Sequence, residues 1–197
     1  MSNILLQLND EVADLVGGTQ RSLVQITNGG MRGAGSGVIW RADGLILTNN
    51  HVVQRRSLNV TLPDGRKLPA RLVASDPDND LAVLGIEANG LPVVDLGDSR
   101  GLQPGELVFA LGHPWGVRNV VTTGVVIGVG SQWPEMPRSS RDLVMVSLHL
   151  RPGNSGGPLV DKVGRLVGIN TLMTGPDVGA AVPVHVAKEF LRHSVRV

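Results

Sequence analysis

Thirteen short apolar segments, separated by turn signals, run through most of the chain. They are rich in Val, Ile and Leu, a composition typical of β-strands. No helical pattern of about 10–15 residues alternates with them, which disfavours a parallel sheet with helical crossovers. The sequence therefore predicts an all-β fold with antiparallel strands at Leu23–Thr27, Gly37–Trp40, Leu45–Thr48, Leu58–Leu62, Leu68–Ala74, Leu81–Ile86, Val93–Leu96, Glu106–Leu111, Val120–Val129, Leu143–Leu148, Pro158–Val160, Arg165–Thr171 and Val178–Val182.

Two helices are predicted outside the strands. Residues 9–17 form an amphipathic pattern that Asn9 or Asp10 caps and that Gly17-Gly18 ends. A final helix is predicted over Val184–His193, where apolar residues recur on one face. Both helices are short, so the strands dominate the fold.

A turn-rich, polar segment near the middle of the chain, Asp95–Gly105, divides the strands into two clusters. The natural interpretation is two antiparallel β-barrels joined at this segment. The predicted organisation is an N-terminal helical segment at 1–21, a first barrel at 22–96, a linker at 97–105, a second barrel at 106–183 and a C-terminal helix at 184–197.

The composition excludes several classes of function. Aromatic residues make up only 3% and the net charge is +1, so no nucleic-acid partner is predicted. The absence of cysteine excludes disulfides and thiol catalysis, and the five histidines lack the spacing of a zinc helix, so neither a metal nor a cofactor is predicted. No segment reaches the ~20 apolar residues of a membrane span. The N-terminus shows no signal-peptide pattern, which predicts a cytoplasmic location, with export after removal of a leader as the alternative.

The most specific sequence is Gly153-Asn154-Ser155-Gly156-Gly157-Pro158-Leu159. Three glycines around one serine allow backbone conformations that other residues resist. Such a turn can present the Ser155 hydroxyl while the N–H groups of Gly153 and Ser155 converge, as acyl-transfer chemistry requires. The alternative is an ordinary Gly-Pro turn that contains an incidental serine.

A serine nucleophile needs a neighbouring base and a carboxylate that orients it. Of the five histidines, His51 is favoured by its surroundings at the end of a strand, in Thr48–Val53. Packing is the expected role of His113, a pocket wall that of His149, and a solvated or capping role that of His185 and His193.

Three aspartates precede the strand Leu81–Ile86. Asp76 and Asp78 have the positions of surface turn formers. Asp80 opens the strand, where a carboxylate can be partly buried against a partner, so Asp80 is the predicted orienting residue.

His51, Asp80 and Ser155 follow the chain order of the chymotrypsin-like serine proteases. From about Leu23 to Arg192 the chain resembles the HtrA/Deg branch of these proteases. The resemblance is carried by Gly35–Ile39, Thr48–Val53, Asp80–Leu84, Leu111–Gly116, Gly153–Leu159, Gly168–Thr171 and Gly179–Pro183.

The resemblance implies two six-stranded antiparallel β-barrels with short N- and C-terminal helices and a catalytic triad in the cleft between the barrels. Ser155 would attack, His51 would transfer the proton, and Asp80 would orient His51. The N–H groups of Gly153 and Ser155 would form the oxyanion hole. The predicted activity is that of a serine endopeptidase that cleaves exposed or unfolded polypeptide segments through an acyl-enzyme.

The substrate pocket is also predicted from the resemblance. Leu150 and the strand residues Gly168, Ile169 and Asn170 would line it. Since neither His149 nor Leu150 is acidic, an aliphatic P1 side chain is expected. Polypeptides are therefore the predicted partners.

The sequence departs from the HtrA/Deg pattern in two respects, and its N-terminal segment bears on the oligomeric state. Position 113 is His where the HtrA/Deg branch commonly has Asn. Only 42 residues follow Ser155, so no PDZ domain is expected in this chain, through a single-domain architecture or truncation. The apolar segment Ile4-Leu5-Leu6 with Leu8 predicts a homotrimer, and the alternative is a helix that docks on its own barrel.

Two rival functions remain at this point. One is a binding or chaperone module with a protease fold and an inactive or latent site. The other is an esterase that uses the same three residues. The absence of a G-x-S-x-G elbow disfavours the α/β-hydrolase form of an esterase.

Overall fold

The structure is a computed structural model, and it describes residues 2–27, 35–54, 57–133 and 141–194. Two short 3₁₀ turns lie at Asn50–Val53 and Pro114–Gly116. The helices and strands are α1 (Ser2–Gln20), β1 (Leu23–Thr27), β2 (Gly35–Arg41), β3 (Leu45–Thr48), β4 (Leu58–Thr61), β5 (Lys67–Asp76), β6 (Leu81–Ile86), β7 (Leu107–Gly112), β8 (Val120–Gly130), β9 (Leu143–Ser147), β10 (Pro158–Asp161), β11 (Leu166–Gly175), β12 (Val178–Pro183) and α2 (Val184–Ser194).

The strands form two closed antiparallel barrels. The first barrel has the order β1-β2-β3-β6-β5-β4, and the second has the corresponding order β7-β8-β9-β12-β11-β10. Closure leaves neither barrel with an unpaired edge strand. The all-β prediction of two six-stranded antiparallel barrels with terminal helices is confirmed.

Strands that lie between the barrels are buried on both faces, which explains their unbroken apolar sequence. In β6, Ala82 and Leu84 point into the first barrel. Leu81 and Val83 alternate with them and face a second cluster, shared with Ile169 of the second barrel and with helix α2. This shared cluster joins the two barrels and thereby holds the loops at their junction.

Helix α1 is longer than the sequence predicted. It begins at Ser2 and continues through Gly17 and Gly18 to Gln20, so the predicted limits of residues 9–17 are wrong at both ends. Val12, Leu15 and Val16 pack against a cluster that contains side chains from both barrels. This packing outweighs the low helix propensity of glycine, which costs about 1 kcal/mol relative to alanine.

The predicted strand Val93–Leu96 does not form. Only Leu96 makes an isolated parallel bridge, with Leu166. Because each barrel is already closed by six strands, this connecting segment has no edge to extend.

Among the residues that the structure describes, no helix is long and apolar enough to cross a membrane.

Candidate active site

Loops from both barrels meet at the candidate site. His51 lies in the 3₁₀ turn that follows β3, and Ser155 lies in the loop that follows β9. β3 and β9 occupy the same place in the strand order of their barrels. Asp80 lies in the turn that leads into β6, next to β3, with a φ of 54°. The three residues predicted from the sequence are therefore brought together by the packing of one barrel on the other.

Asp80 holds His51 through two hydrogen bonds. The His51 backbone N–H donates to Asp80 Oδ1 at 3.0 Å, and Nδ1 of the ring lies 2.8 Å from Oδ2. Burial by itself would raise the pKa of Asp80, but hydrogen bonds from His51 and Thr171 outweigh burial and hold the pKa below its usual value. An ionised carboxylate only accepts hydrogen bonds, so Nδ1 carries the proton and Nε2 keeps a free lone pair. This is the tautomer that a general base requires.

Thr171 is a site residue that the sequence analysis missed. Its hydroxyl donates to Asp80 Oδ2 at 2.6 Å, and it lies on β11 of the opposite barrel. It ends the segment Gly168–Thr171 that resembles the HtrA/Deg branch, and the resemblance assigned no role to its side chain. No local signal links it to a residue 91 positions away.

The Ser155 hydroxyl donates to the backbone carbonyl of Thr171 at 3.0 Å. Ser155 is thus linked to His51 across the cleft by a chain of hydrogen bonds that runs through the backbone carbonyl and the hydroxyl of Thr171 and through Asp80. In this conformation the Ser155 proton points to Thr171, so the hydroxyl must turn toward His51 before it can transfer its proton.

Two free backbone donors flank Asn154. Within the described part of the chain, neither the N–H of Gly153 nor that of Ser155 donates to an acceptor, whereas Asn154 N–H donates to Arg151 O at 2.8 Å. Gly156 N–H donates to Asn170 O at 2.8 Å. The unoccupied donors are the two that the sequence analysis assigned to an oxyanion hole.

The peptide that carries the Gly153 N–H has a defined orientation. Trp115 N–H donates to Pro152 O at 3.0 Å. In a trans peptide the C=O and the following N–H point in opposite directions, so the Gly153 N–H points away from Trp115. The Arg151 guanidinium lies 5.4 Å from the centre of the Trp115 ring, which adds a second contact between these loops.

The predicted substrate-pocket residues on β11 lie in buried positions. Gly168, Ile169 and Asn170 are all buried. Ile169 packs in the cluster between the barrels. The Asn170 amide donates to Leu111 O and Pro158 O and so supports the serine loop from behind. A role of these three residues in binding a substrate side chain stays a prediction.

Leu150 lies in an apolar environment. It packs in the second barrel's cluster, and Met173 of β11 contacts it from the same cluster. The Leu150 backbone N–H also donates to Met173 Sδ at 3.1 Å. A role of Leu150 in binding a substrate side chain stays a prediction.

The other four histidines lie outside the Ser155–Thr171–Asp80–His51 chain. His113 is buried, which agrees with its expected packing role. His149 is exposed and pairs with Asp177, and His193 bonds the helix carbonyl of Glu189. Nδ1 of His185 bonds Ser99 at 2.8 Å. In the described ranges, no three His, Asp or Glu side chains are grouped so that they could hold a metal ion.

Two six-stranded antiparallel barrels, with a serine, a histidine and a buried carboxylate between them, define the chymotrypsin-like class of serine proteases. Residues 35–169 match the family of the trypsin-like peptidase domain. The chain belongs to this family, and it is a protease domain of the HtrA type.

Known relatives support the HtrA assignment. Serine protease HTRA1 of Xenopus tropicalis is 41% identical over 165 residues, which cover 82% of this chain and 36% of the relative. Protease Do-like 1, chloroplastic, of Arabidopsis thaliana is 39% identical over 84% of this chain and 40% of the relative. The solved structure of the HtrA-type protease AlgW with decapeptide superposes with a TM-score of 0.85 at 31% identity, over 93% of this chain and 67% of that chain. The chain therefore spans about two fifths of the length of these curated relatives.

Proposed function

We propose that this chain is a serine endopeptidase that cleaves exposed or unfolded polypeptide segments through an acyl-enzyme. The observation that carries the proposal is the hydrogen-bonded chain of Ser155, Thr171, Asp80 and His51. It joins a nucleophile, a base in the required tautomer and an ionised carboxylate. The names of the relatives support the same activity.

The reaction follows from the positions of these groups. After its hydroxyl turns from Thr171 O, Ser155 attacks the peptide carbonyl and His51 Nε2 takes the proton. The Gly153 and Ser155 N–H groups face the negative charge that develops on the carbonyl oxygen. His51 then protonates the leaving amine, and water releases the acyl group by the reverse sequence of proton transfers.

An aliphatic P1 preference is proposed on the apolar surroundings of Leu150. Leu148 and Leu150 are buried in one apolar cluster, and Met173 packs against it. A hydrophobic pocket discriminates weakly between aliphatic side chains, since one methylene changes binding by about 1–3 kcal/mol. We therefore expect Val, Ala, Leu and Ile to be accepted, and Arg to be rejected.

A peptidyl phosphonate with Val at P1 tests the activity. We expect mass spectrometry to find the label on Ser155, and the Ser155→Ala variant to lose turnover by a factor on the order of 10⁶. Ser57→Ala, which removes an exposed serine hydroxyl, is the matched control and should cleave normally. An unlabelled, inactive wild type would instead support a latent binding or chaperone module. Faster cleavage after Arg than after Val in a peptide panel would contradict the pocket assignment alone.

A homotrimer is proposed on the N-terminal half of α1. Its apolar side chains Ile4, Leu5, Leu6 and Leu8 are between 51% and 73% exposed. The C-terminal half of the same helix is packed on the barrels through Val12, Leu15 and Val16. Exposed, contiguous apolar side chains on one element are typical of an interface between proteins.

A further inference from the structure

Ser36 connects the first barrel to the serine loop of the second through several hydrogen bonds. It lies on β2 and is fully buried. Its backbone N–H donates to Ser155 O at 2.8 Å. Its hydroxyl donates to Gly153 O at 2.7 Å and accepts from the His113 N–H at 2.9 Å. The Thr48 hydroxyl donates to the Ser36 carbonyl at 2.7 Å, which fixes Ser36 within its own barrel.

Gly153 has no side chain through which neighbouring residues could fix its conformation. Its φ of 109° lies in the region that only glycine adopts readily. Its conformation is set by partners of the two peptides beside it. Trp115 N–H holds the carbonyl before it, and Ser36 Oγ together with His113 N–H holds its own carbonyl. A flip of the 152–153 peptide, which carries the Gly153 N–H, would break the Trp115 bond, and a displacement of Gly153 itself would break the bonds to its carbonyl.

We infer that the Ser36 hydroxyl is a positioning group that holds Gly153 in the place from which its N–H, oriented by the Trp115 bond to Pro152 O, can bind an oxyanion. The hydroxyl acts from the barrel that carries His51 on a loop of the barrel that carries Ser155. It therefore fixes the oxyanion donor relative to the base as well as relative to the nucleophile. This role rests on the proposed function, since it concerns the transition state of that reaction.

The Ser36→Ala variant isolates this role. It removes the bond to Gly153 O, while the two bonds of the Ser36 backbone, to Ser155 O and from Thr48, remain possible. Ser22→Ala is the matched control, because Ser22 is buried in the turn that leads into β1 and its hydroxyl donates to a backbone carbonyl, Thr19 O, at 3.0 Å. Ser22→Ala loses one bond of a buried hydroxyl, whereas Ser36→Ala loses two, since His113 N–H also donates to the Ser36 hydroxyl at 2.9 Å. That N–H keeps Gly153 O as an acceptor at 3.2 Å, and only Ser36 contacts the serine loop.

The measurements separate positioning from stability. For Ser36→Ala we expect kcat to fall about tenfold, the change in population that one hydrogen bond typically controls, with KM changed less than about twofold. A peptide boronate, which forms a tetrahedral adduct, should bind about tenfold more weakly, whereas the same peptide as a carboxamide should bind as it does to the wild type. Ser22→Ala should show a similar decrease in Tm with wild-type kcat.

Other results overturn the inference. It is wrong if Ser36→Ala keeps the wild-type kcat, or if Ser22→Ala loses as much kcat as Ser36→Ala does. Should Ser36→Ala fail to fold, Ser36→Cys carries the test, since its thiol is a weak donor of similar shape and should lower kcat without a change in KM. A wild type that neither cleaves nor is labelled refutes the proposed function itself, which distinguishes the two failures.

Discussion

At the scale of single residues, the candidate site depends on how burial and hydrogen bonding set the charge of each group. Asp80 is buried yet stays ionised, because His51 and Thr171 both donate to it. His113 is also buried, but its hydrogen bonding favours the neutral form of the side chain instead of the charged form. Its ring accepts a hydrogen bond from the Asn119 N–H at Nδ1, which requires the neutral form. Burial, with a contribution from Arg118, lowers the pKa of His113 to about 4.

This shift makes His113 a source of acid sensitivity. Below its ordinary pKa of 6.5 the unfolded chain binds a proton that the folded chain does not bind until about pH 4. The free energy of unfolding therefore falls as the pH drops through this window. By pH 5 the loss attributable to His113 should be about 2 kcal/mol.

Replacement by asparagine tests this prediction. We expect urea unfolding to show that the free energy of unfolding falls between pH 7.5 and pH 5 in both wild type and His113→Asn. The decrease should be about 2 kcal/mol smaller in the variant. His193→Asn removes an exposed histidine and should keep the wild-type loss. Equal losses in all three proteins would show that His113 is not protonated differently on unfolding.

At the scale of elements, the close approach of neighbouring strands to the serine loop explains why two of its positions are glycine. Gly156 has a φ of 82°, and a Cβ at this position would lie 2.1 Å from Ser36 O and 2.2 Å from Thr48 Oγ1. Gly157 has an ordinary φ, but its Cβ would lie 2.2 Å from Leu111 O. The first barrel thus excludes a side chain at Gly156, and β7 of the second barrel excludes one at Gly157.

Two alanine substitutions separate close approach from backbone strain. Gly65 has a φ of 94° with nothing within 4 Å of a Cβ, so Gly65→Ala should cost only the backbone strain of about 1–2 kcal/mol. Gly156→Ala should lower the free energy of unfolding by more than Gly65→Ala does. It should also abolish cleavage, because the loop must move away from Ser36. Thermal unfolding and peptide hydrolysis measure both effects. If the two variants behaved alike, the contact with the first barrel would not matter.

At the scale of the whole molecule, two barrels of the same strand order are joined by a shared apolar cluster and by the helices. The cluster that contains Leu81, Ile169 and Phe190 draws on both barrels and α2. Helix α1 packs across Leu23 of the first barrel and Phe109 of the second. The candidate site lies at this junction, so its geometry depends on the packing of one barrel on the other.

The exposed N-terminal half of α1 predicts that the protein is a homotrimer in solution. Light scattering should give three times the mass of one chain, and the double variant Leu5→Asp/Leu8→Asp should give the mass of one chain. Leu72→Asp, which changes a 49% exposed leucine on β5, should leave the trimer intact. A monomeric wild type would show that the apolar segment serves another purpose.

The sequence predicted much of the fold because strand signals are local. The segments Leu45–Thr48 and Leu81–Ile86 have the same limits in the structure as in the prediction. Val93–Leu96 is also mostly apolar but forms no strand, because pairing depends on a free edge that the closed barrels do not offer. Helix α1 exceeds its predicted limits because packing on the barrels overrides its glycines.

By itself, the sequence determined the strands, the serine loop and the candidate triad, since alternation, turn chemistry and short motifs act between neighbours in the chain. Only the tertiary structure decided which groups support these residues. Thr171 bonds Asp80 across 91 positions and Ser36 bonds Gly153 across 117. Both contacts cross from one barrel to the other. They exist because both barrels close and then bury a common apolar surface, and no pattern of neighbouring residues specifies such a pair.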